Sequence, residues 1–311
     1  MKRTIKAIIA ATGAAIMCAA PVFTSVSSTP IVNNITASAS YVVNAFDSFD
    51  NNWVPSITGV SNGVTKVNLG HVNYEFDKDA KTATILGIDN ADSRIKFPKG
   101  INVNGTFYKT VAIANGAFYK KNGQKQDDGK AALKGAALTM VDLNAAIYLE
   151  TIGDDAFNGC TKLTGSIRLP KTLTSIGARA FRDTAITEVA YTVENRKPVS
   201  DLNTIGDDAF YNCQSLTKIY LPPTMMTVGN RAFSWSGITL ANFAGPSSED
   251  IIIKSEAFAH CSKLTSIGTD RTVNSSSSKD AFRNIPKANV HRYSSSTSDE
   301  LVGRFKIYFG L

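Results

Sequence analysis

The chain has 311 residues and a formal net charge of +7, with 43% hydrophobic and 19% charged residues. This composition provides enough apolar material for a sizeable core, and the length suits two ordinary domains or one elongated array. The positive charge is spread along the chain without a dense run of Lys or Arg, so we do not expect a nucleic-acid partner.

The N-terminal segment, residues 1–39, has the composition of a secretory signal peptide. Three basic residues precede a short apolar run over residues 7–20, and no acidic residue occurs before Asp47. That run is too short and too broken to span a membrane. Small residues predict cleavage after Ala39, with cleavage after Ala20 as the alternative. Cleavage at Ala39 removes three basic residues and no acidic one, lowering the net charge from +7 to +4. We therefore expect a secreted or loosely surface-associated chain without a membrane span.

Two segments lie between the signal peptide and the first repeat. Residues 40–71 are polar with scattered aromatic residues and show no repeat, so we expect a partly ordered lead-in. Residues 72–87 have the pattern of a β-hairpin that could cover one end of an array. We place the start of the solenoid domain, residues 72–293, at this hairpin.

The body of the chain is a repeat. The segments IGDDAFNGC (152–160) and IGDDAFYNC (205–213) are nearly identical, and alignment on their Ala-Phe pair gives seven copies. The intervals are 39, 24, 29, 23, 25 and 24 residues. One such unit cannot bury its own apolar face, so neighbouring units must stack into a solenoid. The aligned phenylalanines are Phe118, Phe157, Phe181, Phe210, Phe233, Phe258 and Phe282.

Each repeat also contains a strand pattern. Apolar residues alternate after a Leu-Thr or Ile-Thr pair, as at Ile219 and Leu221 before Pro222. A short extended Ile-Gly segment precedes the Ala-Phe turn in most copies. No window has a sustained helical period, so we expect mainly β-structure with little helix beyond single turns.

The motifs LTKIYLPPTMMTVGNRAF and IGDDAFNGCTKLTGSIRLP resemble the BspA-like leucine-rich repeat family of bacterial surface antigens, and the resemblance covers residues 82–286. It implies a right-handed leucine-rich repeat solenoid, a location outside the cell or at its surface, and binding rather than catalysis. It carries over no functional residue, because the family motif consists of core positions. The long first interval and the last copy depart from the pattern, which indicates an insertion and a terminal coil.

The ends and insertions are predicted separately. In residues 294–311, Phe305, Ile307 and Phe309 alternate with other residues, which predicts a C-terminal capping strand. Insertions lie within 119–137 and 191–202. Insertions in repeat proteins form surface loops. Such a loop either lies on the binding side or is a solvated loop that the fold tolerates without a function.

The sequence contains no residue pattern typical of a catalytic or metal-binding site. The three histidines, His71, His260 and His291, lack metal-ligand spacing. His260 adjoins Cys261, but adjacent side chains usually point apart, so we expect no enzyme and no cofactor. A calcium ladder on the doubled acids of the repeats is disfavoured, because they lie two coils apart, about 10 Å. Opposite charges in one column suggest structural pairs instead, and that column contains Asp155, Arg179, Asp208, Arg231 and Glu256.

The outward positions of the strands form the candidate binding surface. Alternation against buried positions such as Ile167 and Ile219 places a mixed polar set outside. We expect a monomer that binds an extracellular protein or glycan through this face. An ordinary solvated face and a structural, self-associating envelope component are the alternatives, and an uncapped apolar end would favour the latter. The ligand-binding candidates are Arg168, Glu188, Lys218, Tyr220 and Asn242.

The cysteines of the repeats occupy a single slot. Cys160, Cys213 and Cys261 each follow the repeat Phe by three residues, with Thr184 and Ser236 at the same position between them. Alternate coils are about 10 Å apart, beyond the reach of a disulfide. We therefore predict three free, buried thiols.

Overall fold

The computed structural model describes residues 35–36, 54–69, 72–88, 93–119, 137–194, 197–243, 250–292 and 299–309. These residues form short strands and one helix, in agreement with the mainly β character expected. In chain order the elements are Ile35–Thr36 (β1), Ser56–Ile57 (β2), Lys66–Leu69 (β3), Val72–Asp77 (β4), Thr82–Ile88 (β5), Arg94–Lys96 (β6), Gly100–Val103 (β7), Thr106–Ile113 (β8), Met140–Asp142 (β9), Thr151–Ile152 (β10), Thr164–Leu169 (β11), Ser175–Ile176 (β12), Ala185–Glu194 (β13), Lys197–Val199 (β14), Thr204–Ile205 (β15), Lys218–Leu221 (β16), Thr227–Val228 (β17), Leu240–Phe243 (β18), Ile252–Ile253 (β19), Ser266–Thr269 (β20), Asn289–Arg292 (β21) and Asp299–Phe309 (α1).

The Ile-Gly segments of the repeats form one long sheet. Its strands follow the order β1-β3-β4-β5-β8-β10-β12-β15-β17-β19, and those from β8 onward are parallel. Ile152, Ile176 and Ile205 stand in direct register. A glycine follows each of them because the coils approach closely. A Cβ on Gly206 would lie 2.6 Å from the backbone nitrogen of Ala178.

The Leu-Thr strands form the second sheet, with the order β11-β13-β16-β18-β20-β21, all parallel. The parallel pair β6–β9 precedes it, and the backbone N–H of Thr164 donates to the carbonyl of Thr139 at 3.1 Å. Each full coil thus contributes one strand to each sheet. This arrangement is a leucine-rich repeat solenoid.

The seven phenylalanines form a single buried column, as the common register predicts. Adjacent rings stack with centroids 5.0–5.2 Å apart along the whole series. Phe157, Phe181, Phe210, Phe233 and Phe258 are all essentially inaccessible to solvent. The column therefore runs through the buried core from coil to coil.

The cysteine slot is also confirmed, and it has a hydrogen-bonding role that the sequence did not reveal. Cys160, Cys213 and Cys261 are buried and free. Each Sγ donates to the carbonyl of the Phe in the preceding coil, at 3.4 Å for Cys160 and 3.1 Å for the others. Ser236 Oγ lies 3.4 Å from Cys261 Sγ. The slot therefore holds a small side chain that can donate a hydrogen bond.

The N-terminal hairpin is present as predicted. Strands β4 and β5 pair in antiparallel fashion, and Ile85 of β5 stands in register with Ile113 of β8. The described part of the lead-in, residues 54–69, belongs to the same sheet, because β3 pairs with β4 and buries Val67. The boundary at residue 72 therefore does not separate two structural units. The sequence gave no sign of this because these strands lie outside the repeat.

The prediction of a C-terminal capping strand is wrong. Residues 299–309 form helix α1 instead. Val302, Phe305 and Phe309 are buried, and this i, i+3, i+7 spacing lies on one face of a helix. The Phe309 ring packs edge-on against Phe282, with centroids 4.9 Å apart. The helix therefore covers the last ring of the Phe column.

The predicted insertions and signal peptide are only partly visible. The insertion within 191–202 continues β13 into an antiparallel hairpin with β14. Most of the insertion within 119–137 lies outside the described residues. The predicted signal peptide also lies outside the described residues, apart from β1. This strand pairs with Val67–Asn68 of β3. Cleavage after Ala39 stays a prediction, and it would remove β1.

Candidate functional site

The second sheet turns one set of side chains inward and another outward, as the alternation predicts. Register pairs arrange the outward residues in two rows. One row passes through Ser166, Glu188, Lys218, Leu240 and Ser266. The other contains Arg168 and Ala190 on β11 and β13, then Tyr220, Asn242, Gly268 and His291 on the remaining strands. The inward positions are all buried: Val141, Leu143, Ile167, Leu169, Val189, Ile219 and Leu221.

Four of the five candidate residues are accessible on this face. Arg168, Glu188 and Lys218 are exposed, and Glu188 stands directly opposite Lys218 on the neighbouring strand. Arg168 Nη1 donates to the carbonyl oxygen of Tyr191 at 3.3 Å, which holds its side chain toward β13. Tyr220 is half-buried and packs against the core. These four residues span three adjacent strands.

The prediction that Asn242 is accessible on the outward face is wrong. It is only 8% exposed. The neighbouring strand carries Gly268 in register, and a Cβ on that glycine would lie 2.3 Å from Asn242 Oδ1. The amide therefore lies over the glycine, in space that a side chain would otherwise fill. His291 Nε2 lies 3.2 Å from the same Cβ position.

His291 belongs to the face although the sequence reasoning did not place it there. It stands in register with Gly268 on β21, the last strand of the sheet. Its Nδ1 lies 3.3 Å from the Asn289 carbonyl and 3.4 Å from Ser266 Oγ. The available signal was the alternation of buried Val290 with Asn289 and His291.

The acid–arginine column forms separate ion pairs. Arg179 donates to both oxygens of Asp155, at 2.8 and 2.7 Å, and Arg231 binds Asp208 in the same way. In each pair the acid comes from the preceding coil. Hydrogen bonding by Arg179 lowers the pKa of the Asp155 carboxyl. The pKa of each arginine is raised chiefly by this hydrogen bond and further by the acid of the following coil, which is Asp208 for Arg179 and Glu256 for Arg231. Each arginine therefore lies between two acids and binds the preceding one.

Cys261 and His260 face different environments. Burial raises the pKa of the Cys261 thiol to about 11. The His260 ring instead stacks on Trp235, with centroids 4.5 Å apart and an interplanar angle of 8°. The geometry thus gives no support to a Cys-His nucleophile. Trp235, 49% exposed, was not singled out from the sequence, although its position two residues after Phe233 recurs in every coil.

The part of the chain that the structure describes contains no group of three or more His, Cys, Asp or Glu side chains suited to a metal ion. Within the same residues no helix has the length and apolar character needed to cross a membrane.

A family model for the BspA type leucine-rich repeat region matches residues 129–197 and 192–299 in six copies, which is more than half of the chain. The chain belongs to the BspA-type leucine-rich repeat family. A comparison with curated proteins found no match.

Solved structures also resemble this BspA-type chain. A leucine-rich repeat protein of T. pallidum is 20% identical, with a TM-score of 0.49, covering 78% of this chain and 94% of that one. The pneumococcal vaccine antigen PcpA is 16% identical, with a TM-score of 0.43, over 72% and 70% of the two chains. A leucine-rich cell surface protein from Faecalibacterium prausnitzii is 19% identical, with a TM-score of 0.41, over 68% and 56%.

Proposed function

We propose that this BspA-type chain is a non-catalytic binding module that acts outside the cell. Its outward sheet face would engage an extracellular protein or glycan. The family membership supports a repeat scaffold, and the basic, apolar N-terminal segment supports secretion.

The accessible cluster of Arg168, Glu188, Lys218 and Tyr220 carries the proposal. These side chains project from a sheet whose backbone is fixed by parallel pairing on both sides and by the Phe column behind it. Such a rigid backbone loses little additional freedom on binding. Tyr and Arg are also the residue types that most often anchor interfaces. Asn242 is left out of the proposed contact set because it is buried.

A structural, self-associating role is less well supported. A solenoid that polymerises end to end would leave an apolar coil open for the next copy. In the described residues, α1 packs Phe305 and Phe309 over Phe282 at the C-terminal end. That end is therefore covered by the chain itself.

The test compares two triple variants of the secreted chain on arrays of extracellular proteins and glycans. The first replaces Arg168, Lys218 and Tyr220 with Ala. The second replaces Lys78, Met226 and Lys254, which are exposed outside the candidate face. We expect a ligand of the wild-type chain to bind the second variant normally and to bind the first variant weakly or not at all. Equal binding to both variants, with both folded by circular dichroism, would contradict the assignment to this face.

A further inference from the structure

The turns after the Phe column carry an exposed pair of stacked rings. Trp235 and His260 come from successive coils and occupy the same position, two residues after the repeat Phe. Their ring planes are almost parallel, 4.5 Å apart between centroids. Trp235 is 49% exposed and His260 is half-buried. This surface lies at the turns and uses none of the four accessible sheet-face residues.

Folding alone does not account for a tryptophan at this position. The backbone there is left-handed in every coil from Gly159 (φ 73°) to Asn284 (φ 56°), and Trp235 has φ 61°. The other coils use Gly, Asp, Asn or His, which adopt this conformation more readily than a bulky residue. The Trp235 ring lies outside the core, which Phe233 already fills. A residue that is costly for the backbone and unused by the core is a candidate for function.

The His260 ring covers one face of Trp235, and Trp235 is still 49% exposed. His260 belongs to the following coil and covers the face on that side, so the opposite face looks toward the preceding coil. Asn212 occupies the equivalent position in that coil. Its Nδ2 donates to Asp183 Oδ1 at 2.7 Å, and its Oδ1 accepts from Gln214 Nε2 at 2.9 Å. These bonds hold the Asn212 amide toward Asp183, one coil further from Trp235.

The surroundings are polar and balanced in charge. Arg182 Nε lies 3.4 Å from Asp183 Oδ2, so neither charge is uncompensated. Arg182 also lies over the Tyr211 ring, 4.7 Å from its centroid. Each of the amides of Asn212 and Gln214 offers two N–H groups and two lone pairs, more than these bonds use. The coil that precedes Trp235 therefore carries amide groups with spare hydrogen-bonding capacity at the same turn.

We propose that Trp235, supported by His260, is a stacking platform for one pyranose ring of a neutral glycan. A pyranose presents a face of C–H bonds, which the negative face of an aromatic ring attracts, and a rim of hydroxyl groups. Asn212 and Gln214, in the preceding coil, provide amide groups of the kind that bind such hydroxyls. A protein partner would need about 800 Å² of surface on each side, far more than one pair of stacked rings provides.

The experiment titrates the secreted chain with neutral tetrasaccharides of glucose, galactose, mannose or N-acetylglucosamine and follows tryptophan fluorescence. Trp53 is the second tryptophan, so a Trp235→Asn variant supplies its separate emission. Asn is the residue that the neighbouring coil carries at this position, which favours folding of the variant. We expect at least one tetrasaccharide to change the Trp235 emission, and Trp235→Asn to weaken its binding by about tenfold or more.

Two controls separate this site from the sheet face. Met226→Ala removes another exposed hydrophobic side chain, 48% accessible, and should leave saccharide binding unchanged. The Arg168, Lys218 and Tyr220 triple variant should also bind the saccharide normally. Failure of all four saccharide series to bind would overturn the proposal, as would full binding by Trp235→Asn. If only the sheet-face variant loses binding, the saccharide binds to the sheet face and not to Trp235, which would contradict the proposal.

Discussion

Arg231 binds both carboxylate oxygens of Asp208, with Nε 2.9 Å from Oδ1 and Nη2 2.8 Å from Oδ2. The two residues belong to successive coils, so the ion pair joins neighbouring turns of the solenoid. The Asp208 side chain is only 7% exposed, whereas Asp155 in the equivalent pair with Arg179 is 23% exposed. The two pairs therefore offer a comparison of the same geometry at two depths.

We expect Arg231→Met to destabilise the fold more than Arg179→Met. Loss of Arg231 leaves a buried carboxylate without its cation, and such a loss costs about 1–3 kcal/mol. Asp155 can instead be hydrated, so Arg179→Met should cost roughly 0.2–1 kcal/mol. Urea denaturation of both variants measures the difference. Equal losses of unfolding free energy in the two variants would show that the burial of the carboxylate does not affect the contribution of the ion pair.

Acid should destabilise the solenoid through its bound carboxyl groups. The pKa of Asp155 is lowered chiefly by its hydrogen bond from Arg179, and the pKa of Asp280 chiefly by that from Ser278. A carboxyl with a lowered folded-state pKa contributes stability above its unfolded-state value of about 4, and this is lost as the pH falls through the folded-state pKa. Thermal unfolding between pH 7 and pH 2 should show the loss below about pH 4. In Arg179→Met the loss should be smaller.

The sequence predicted the solenoid well because each coil repeats the same physical requirement. Phe157, Phe181 and Phe210 occupy one register, so several copies support a single interpretation, and the structure stacks all of them. The alternation of the Leu-Thr strands identified the buried face for the same reason. The three cysteines followed from their shared position.

The features that the sequence did not reveal depend on single, unrepeated contacts. Asn242 is buried because Gly268 on the next strand leaves space for its amide, which strand alternation does not encode. Phe305 and Phe309 fit both a strand and a helix, and the added burial of Val302 decides for a helix. The stacking of Trp235 on His260 required the coil register as well as the sequence.

We expect Phe210→Ala to cost about 3–5 kcal/mol, because it opens a cavity in the interior of the column. The rings of Phe181 and Phe233 stack on its two faces, each with centroids 5.2 Å away. Met226→Ala, at an exposed position, should change the stability by less than about 0.5 kcal/mol. Guanidinium denaturation compares the two. A loss below about 1 kcal/mol for Phe210→Ala would contradict its place in the core.

Helix α1 should be needed to keep the last coil covered. Phe305→Ala removes a ring that contacts both Phe243 and Phe282, with centroids 5.5 and 6.0 Å away. We expect a loss of about 3–5 kcal/mol and increased self-association, because the apolar end becomes accessible. Arg304→Ala, on the exposed side of the helix, is the matched control. Sedimentation analysis measures the association and urea denaturation measures the stability. If both variants are monomeric and equally stable, the helix does not cover the end.

The thiols should be unreactive until the chain unfolds. Burial raises the pKa of Cys160 and Cys213 to about 12 and that of Cys261 to about 11, so almost no thiolate exists at pH 8. Titration of the chain from residue 40 onward with an aromatic disulfide reagent should detect none in the native state and three after unfolding without reductant.

The variant Ser236→Cys places a further thiol in the coil between Cys213 and Cys261, and Ser236 Oγ already lies 3.4 Å from Cys261 Sγ. Neighbouring coils are about 4.8 Å apart, within the roughly 7 Å limit between Cα atoms of a disulfide. When this variant is refolded under oxidising conditions, we therefore expect it to form one bridge, so that adding a cysteine lowers the number of free thiols from three to two. One free thiol in the unfolded wild-type chain, or four in the oxidised variant, would contradict the coil register.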